Sequence, residues 1–393
     1  MLFLPSDTEY IIETLQKNGY EAFAVGGCVR DMLNGDTPHD FDITTSAEPE
    51  TVMSLFEKTV PTGIKHGTVT VIINGVPNEV TTYRTDGEYR DHRRPDSVIF
   101  VKSLREDLAR RDFTVNAMAY NKRDGLKDFF GGRKDIENRI LRAVGEPGRR
   151  FYEDALRIMR LFRFSSVLGF NIEENTIKAA LEYAPTLKSV SAERIYSELL
   201  KTLCGKNPAA LKPLTDIGGL GFLGVNTSPD YGILPLLGSA DTKLFAFLYS
   251  GGAEVSPALD FLKVPNKTKK AAQDMLTLLN MPFPKTKPEI KEMLYLTSPS
   301  SAENYFDYRS AYGKDCAAAR DMLTEIIKNG EPYRISDLKI GGRDLKKFGI
   351  SGRAIGETLE KLRRSVLKNP ELNTRSELIK AVKNEPPREN RFR

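Results

Sequence analysis

Strand-forming patterns stop near residue 138, and that change constrains the fold of this 393-residue chain more than any other feature. Before it, short apolar or alternating runs at Ala22–Val25, Asp40–Thr44, Thr68–Ile73, Asn78–Tyr83 and Val98–Val101 read as strands. They are interleaved with helical stretches at Tyr10–Leu15 and Val29–Leu33. The middle pair is joined by Asn74-Gly75, the dipeptide of a two-residue hairpin turn. After Arg139 the segments 151–168, 173–183, 191–204, 208–217, 240–249, 268–279, 287–295, 300–328 and 354–367 all carry helical spacing. The expected fold is a mixed, largely antiparallel α/β head followed by an all-α neck, body and tail. The expected boundaries are 1–138, 139–207, 208–308 and 309–393.

Composition narrows the function classes. The first residues lack the basic start and apolar core of a secretion signal, and no run approaches the ~20 apolar residues of a membrane span. The expectation is a cytoplasmic protein with no membrane partner. Three cysteines (Cys28, Cys204, Cys316) lie far apart, without the paired spacing of a disulfide framework or zinc site. Three histidines (His39, His66, His92) are too scattered for a histidine-rich hydrolase centre, although His39-Asp40 superficially forms an HD pair. The net charge of +5 is concentrated at one end: residues 331–393 hold sixteen Lys and Arg against nine Asp and Glu. A basic end suits a polyanion such as RNA, because neutralised phosphates release condensed counterions; it equally suits a solvated helical surface. Nothing in the residues signals an oligomeric state.

Two local constellations carry chemistry. Gly26-Gly27 falls between a strand and a helix, where backbone N–H groups can approach a phosphate closely, and Arg30 lies one turn in. On a strand, Asp40-Phe41-Asp42-Ile43 points both carboxylates one way and both apolar side chains into the core. Two adjacent carboxylates repel unless a cation sits between them, and oxygen-only ligands suit Mg²⁺. Glu79 would join them if its strand neighbours that of Asp40 and Asp42.

Together, Gly26-Gly27-Cys28-Val29-Arg30-Asp31 and Asp40-Phe41-Asp42-Ile43-Thr44-Thr45 resemble the signature of the class II tRNA nucleotidyltransferases. These are the CCA-adding enzymes and bacterial poly(A) polymerases of the polymerase-β superfamily. Leu108 to Ala117 is similar to the second family motif, Asp128 to Arg142 to the third, with Phe129 where the family often has proline. Glu153-Asp154-Ala155-Leu156-Arg157 resembles the fourth, and Ser191-Ala192-Glu193-Arg194-Ile195 the fifth, which is expected to brace the neck.

The resemblance implies that Asp40 and Asp42 bind Mg²⁺ with Glu79 as a third catalytic acid, and that Gly26, Gly27 and Arg30 hold the triphosphate. It places Arg111, Asp112 and Asn116 on the sugar and phosphates, with Arg160 and Arg163 also in the nucleotide site. Asp154 and Arg157 are implied to select CTP and ATP by reading the base. Helical geometry across 151–168 is expected to project Glu153, Arg157 and Arg160 from one face.

The implied reaction is template-independent addition of C, C and A to the 3′ end of tRNA. Gly63 to Val71 resembles the short form of Gram-positive CCA-adding enzymes, and the complete loop from Asp86 to Asp96 disfavours CC-only addition. The tail, with Arg343 and Arg353 near Gly341-Gly342 and Gly352, resembles tails that hold the tRNA elbow by its backbone. An A-adding enzyme of a split system, a poly(A) polymerase, an inactive RNA-binding protein and a small-molecule nucleotidyltransferase remain alternatives.

Overall fold

In the computed structural model of the chain, residues 2–86 and 98–384 are described. The chain divides into two compact units, residues 1–231 with 247–263, and residues 232–246 with 264–393.

The first unit opens on a seven-stranded sheet in the order Thr59–Gly63, Thr68–Ile73, Val76–Thr82, Asp42–Thr45, Ala22–Val25, Met118–Asn121, Gly125–Asp128. Only the contact between Asp42–Thr45 and Val76–Thr82 is parallel, so the sheet is mixed and largely antiparallel as expected. Asn74 and Gly75 have φ of 51° and 84°, the positive pair that a two-residue hairpin turn needs. One face of the sheet packs Phe23, Val25, Tyr83, Leu104, Leu108 and Ala119 into a core.

Three strands of this sheet escape the sequence reading for identifiable reasons; the short strands Arg84–Asp86, Ile140–Leu141 and Asn171–Ile172 outside it escape that reading as well. Thr59–Gly63 contains Pro61, which cannot donate to a ladder and is tolerated because this strand lies at the sheet edge beside a register shift. Met118–Asn121 is buried at every position, so it shows no alternation. Gly125–Asp128 begins on a glycine and carries only one apolar residue.

The helical pattern after residue 139 is present, but two of the expected helices are divided and three helices, Val255–Phe261, Gly342–Lys346 and Arg375–Lys383, lie outside the expected segments. The helix expected over 151–168 is two helices, Pro147–Glu153 and Leu156–Leu168. Asp154 between them is extended, at φ −139° and ψ 103°. Its Oδ1 accepts from the Leu156 backbone N–H at 3.1 Å, which starts the second helix afresh. The helix expected over 300–328 is likewise split into Pro299–Ala311 and Ala317–Lys328, around Gly313 at φ 78°.

In the second unit, Leu338, Leu345, Leu359, Leu362, Val366 and Leu378 form a small core for the C-terminal helices. Arg363 is 1% exposed, stacked 3.6 Å over the Tyr295 ring and paired with Glu292 and Glu360. One charge of the basic tail is therefore spent on packing, whereas the Arg353 side chain is exposed. Among the described residues no helix is long and apolar enough to cross a membrane.

Candidate active site

The sheet brings the two sequence constellations together. Val25 lies opposite Asp42 in the antiparallel pair, so the aspartate sits beside the strand end that leads into Gly26. Gly26 adopts φ 81° and ψ −127°, a conformation that residues bearing a Cβ reach only with strain. A Cβ there would stand 3.0 Å from Nη1 of Arg111, and one on Gly27 would stand 3.6 Å from Nη2 of Arg30. The turn thus keeps bare backbone next to two guanidinium groups.

The reading of Asp40-Phe41-Asp42-Ile43 as one strand needs correcting. The strand begins at Asp42; Asp40 is exposed and precedes it, and Phe41 is half-buried rather than in the core. The neighbouring strand is nevertheless the one that carries Glu79. Ile43, Thr44 and Thr45 run parallel to Val80, Thr81 and Thr82, so Glu79 follows the same register beside Asp42. Among the described residues no three His, Cys, Asp or Glu side chains gather in ligating geometry. Glu79 is a sheet neighbour of the aspartates, not a member of a closed triad.

The aspartates fit a hard divalent cation. Loss of hydration pushes the Asp42 carboxyl above the usual carboxylate range and Asp40 adds to the rise, while the Arg111 guanidinium opposes it. No described residue donates a hydrogen bond to the Asp42 side chain, which is exposed at the start of its strand, so an anion with a like-charged neighbour stands open to a cation. Cys28 lies close by, its thiol pushed up to about 11 by burial and by Asp42. It is an inert neutral group there, and none of the three cysteines is in a disulfide.

Asp42, Gly26 and Gly27 open onto a cleft of about 1000 Å³ that is walled by arginine. Arg30, Arg110, Arg111, Arg157, Arg160, Arg163 and Arg194 line it against Asp42, Asp112 and Asp154. Seven guanidiniums facing three carboxylates leave an excess of positive charge suited to a polyphosphate.

These arginines are held by buried carboxylates. Arg160 donates to Asp112 through Nε at 2.8 Å. Asp112 also accepts from Asn116 Nδ2 at 3.1 Å, and Asn116 in turn accepts from Arg30 Nη1 at 2.6 Å. Burial opposes the Asp112 charge, but Arg160 and Asn116 outweigh it and hold the carboxyl at about 2. Arg30, Arg160 and Arg163 all pack on the Phe164 ring, with guanidinium carbons 5.1, 5.3 and 3.8 Å from its centroid.

Asp154 and Arg157 line the same cleft, though not as neighbours on one helix. Asp154 occupies the break between the helices and accepts a two-point contact from Arg194. Arg157 is 8% exposed and donates to Arg150 O, Glu153 Oε2 and Arg110 O at 3.0, 2.7 and 2.9 Å. The Glu153–Arg157 pair is therefore part of a buried network and not a solvated surface pair.

Sequence reasoning missed two acids that position this wall. Asp107 is fully buried and accepts from Arg110 at 2.8 Å, Arg111 at 3.4 Å and Thr44 Oγ1 at 3.2 Å, linking both arginines to the Asp42 strand. Its signal was the spacing three and four residues before the two arginines. Glu198 pairs with Arg163 at 2.5 Å; no local pattern joins residues thirty-five apart. The loop from Asp86 to Asp96 lies almost wholly outside the described residues.

Comparison with known proteins accounts for the arrangement. Residues 22–142 match the family described as the poly A polymerase head domain, and residues 169–219 the one described as a probable RNA and SrmB-binding site of polymerase A. The CCA-adding enzyme of Geobacillus thermodenitrificans is 39% identical over 385 residues, 94% of each chain. That of Staphylococcus saprophyticus is 34% identical over 95% of this chain and 96% of its own. The crystal structure of the Bacillus stearothermophilus CCA-adding enzyme in complex with CTP superposes with a TM-score of 0.82 at 34% identity, covering 97% of this chain and 98% of that one. With this likeness running nearly end to end, the chain belongs to the family of CCA-adding enzymes.

Proposed function

We propose that this protein adds C, C and A to the 3′ end of tRNA without a nucleic-acid template, using CTP and ATP and releasing pyrophosphate. The observation that carries the chemistry is one cleft lined together by Asp42, the Gly26-Gly27 turn and Asp154. Full-length likeness to enzymes named for CCA addition supports the substrate over a poly(A) product or an A-only partner.

In this reading the tRNA 3′-hydroxyl attacks the α-phosphate of the bound nucleotide. Asp40 and Asp42 would hold two Mg²⁺ ions, with Glu79 one strand away as a third acid. Bound there, such ions would supply the positive charge that lowers the pKa of an attacking hydroxyl and offsets the charge of a leaving pyrophosphate. Gly26, Gly27 and Arg30 hold the triphosphate on backbone N–H groups and a guanidinium. Arg111, Asp112 and Asn116 meet the sugar and phosphates, and Arg160 and Arg163 add charge to the same wall. Asp154 accepts from the base and Arg157 donates to it, doing the work of a template strand.

Residues 1–138 serve as catalytic head, 139–207 as base-reading neck, 208–308 as body and 309–393 as a tail. Arg343 and Arg353 in the tail meet the tRNA elbow through its backbone. The work is placed in the cytoplasm, where tRNA is matured and used. The test is to incubate the protein with tRNA ending at the discriminator base, at C or at CC, with CTP, ATP or both. Stepwise products stopping at CCA are expected; runs of A, or addition to the CC end alone, contradict the proposal.

A further inference from the structure

The acid assigned to base reading is held by a residue of another helix. Arg194 Nη2 donates to Asp154 Oδ2 at 2.9 Å and Nη1 to Oδ1 at 3.3 Å, while the Leu156 backbone N–H donates to Oδ1 at 3.1 Å. A carboxylate offers about four acceptor directions. Those on Oδ1 are taken and one on Oδ2 is taken, which leaves a single direction on Oδ2, in a residue that lines the cleft.

Arg194 is unusual in its setting. It lies in the first turn of the helix Ala192–Leu203, where aligned peptide dipoles disfavour a cation. Its side chain remains 32% exposed, so burial of the stem does not explain the choice of residue. Arg194 itself lines the cleft. What a guanidinium supplies here is a planar two-point fork, which fixes both the position and the rotation of a carboxylate as an ammonium cannot.

We propose that Arg194 is a positioning residue for nucleobase selection: by clamping Asp154 it leaves one fixed, acceptor-only direction that an exocyclic amino group satisfies. Cytosine N4 and adenine N6 are such donors. Uracil O4 and guanine O6 present an acceptor at the same place and meet an unpaired, like-polarity contact. An unclamped carboxylate turns about its bonds and no longer enforces that difference. The inference rests on the proposed base-reading role of Asp154, and the test separates the two.

The full-length protein is assayed on tRNA ending at the discriminator base, and kcat/KM is measured for CTP and UTP separately. The Asp154→Ala, Arg194→Gln and Arg194→Lys variants and the Asp154→Ala/Arg194→Gln double variant are compared, with thermal midpoints and tRNA binding recorded for each. We expect Arg194→Gln to lower the CTP-to-UTP ratio by roughly tenfold or more, with Arg194→Lys between it and the parent, and the double variant no less selective than Asp154→Ala.

A purely bracing role predicts that rates with both nucleotides fall together at constant ratio; that outcome, with Asp154→Ala selectivity lost, overturns the role of Arg194 alone. A parental ratio in Asp154→Ala overturns the base-reading assignment and the inference with it. Should Arg194→Gln not fold, the Lys variant decides the matter by the same ratio.

Discussion

The two walls of the cleft are built by different means. On the sheet side, Asp42 and the Gly26-Gly27 turn are placed by backbone register: Asp42 lies opposite Val25 and one glycine turn completes the approach. On the helical side, Arg160, Arg163 and Asp154 are placed by ion pairs to Asp112, Glu198 and Arg194, partners 35 to 48 residues away. The backbone-built wall is suited to bond making, where a fixed charge must meet a reacting phosphate. The wall built from side chains is suited to choice, because its donors and acceptors depend on one another.

Removing divalent cations is the strongest way to break this division. With EDTA present, nucleotide incorporation should vanish and return on adding Mg²⁺; incorporation that persists without divalent ions contradicts the assignment of Asp40 and Asp42.

The helical wall should fail differently. Arg157→Ala is expected to lower the preference for CTP and ATP over UTP and GTP by between about ten- and a hundredfold, the worth of one or two hydrogen bonds to a charged group. Competition of the four nucleotides for one tRNA reads this directly, and unchanged preference removes the side-chain template.

Acid tests the ion pairs themselves. The Asp112 carboxyl sits at about 2 in the fold, below an ordinary aspartate. Its stabilisation is therefore present above the unfolded value near 4 and lost as pH falls from there toward 2, by roughly 2 kcal/mol. Denaturant unfolding at stepped pH should show a loss over that window that is smaller in Asp112→Asn by about that amount, other lowered carboxylates such as Glu360 supplying the rest.

The smallest expected effect lies at the glycine turn. Gly26→Ala adds a Cβ at φ 81°, 3.0 Å from Arg111. About 1 to 2 kcal/mol of strain should appear as a raised KM for nucleotide with a smaller change in kcat.

The contrast also explains what could be read from sequence. Asn74-Gly75, Gly26-Gly27 and the apolar strands announce themselves over four to eight residues, and the sheet follows them. The break at Asp154 is announced only weakly, because an aspartate within a helical run can equally stay helical; here its carboxylate caps the Leu156 backbone N–H and is held by Arg194. Glu198 was invisible, since a buried acid acquires its meaning from the arginine that the fold brings to it, whereas Asp107 did carry a local signal in its spacing to Arg110 and Arg111. Where the amphipathic pattern was long, as over Glu174–Glu182 and Arg353–Lys368, the expected and observed helices agree to within a residue or two.

One wall of the cleft makes the bond and the other chooses the base. The direct measurement is CTP binding and single-turnover incorporation by Asp42→Ala on tRNA ending at the discriminator base. Incorporation should fall by roughly three orders of magnitude, with CTP still bound in preference to UTP. Incorporation near the parental rate, or loss of the CTP preference along with it, would contradict the division.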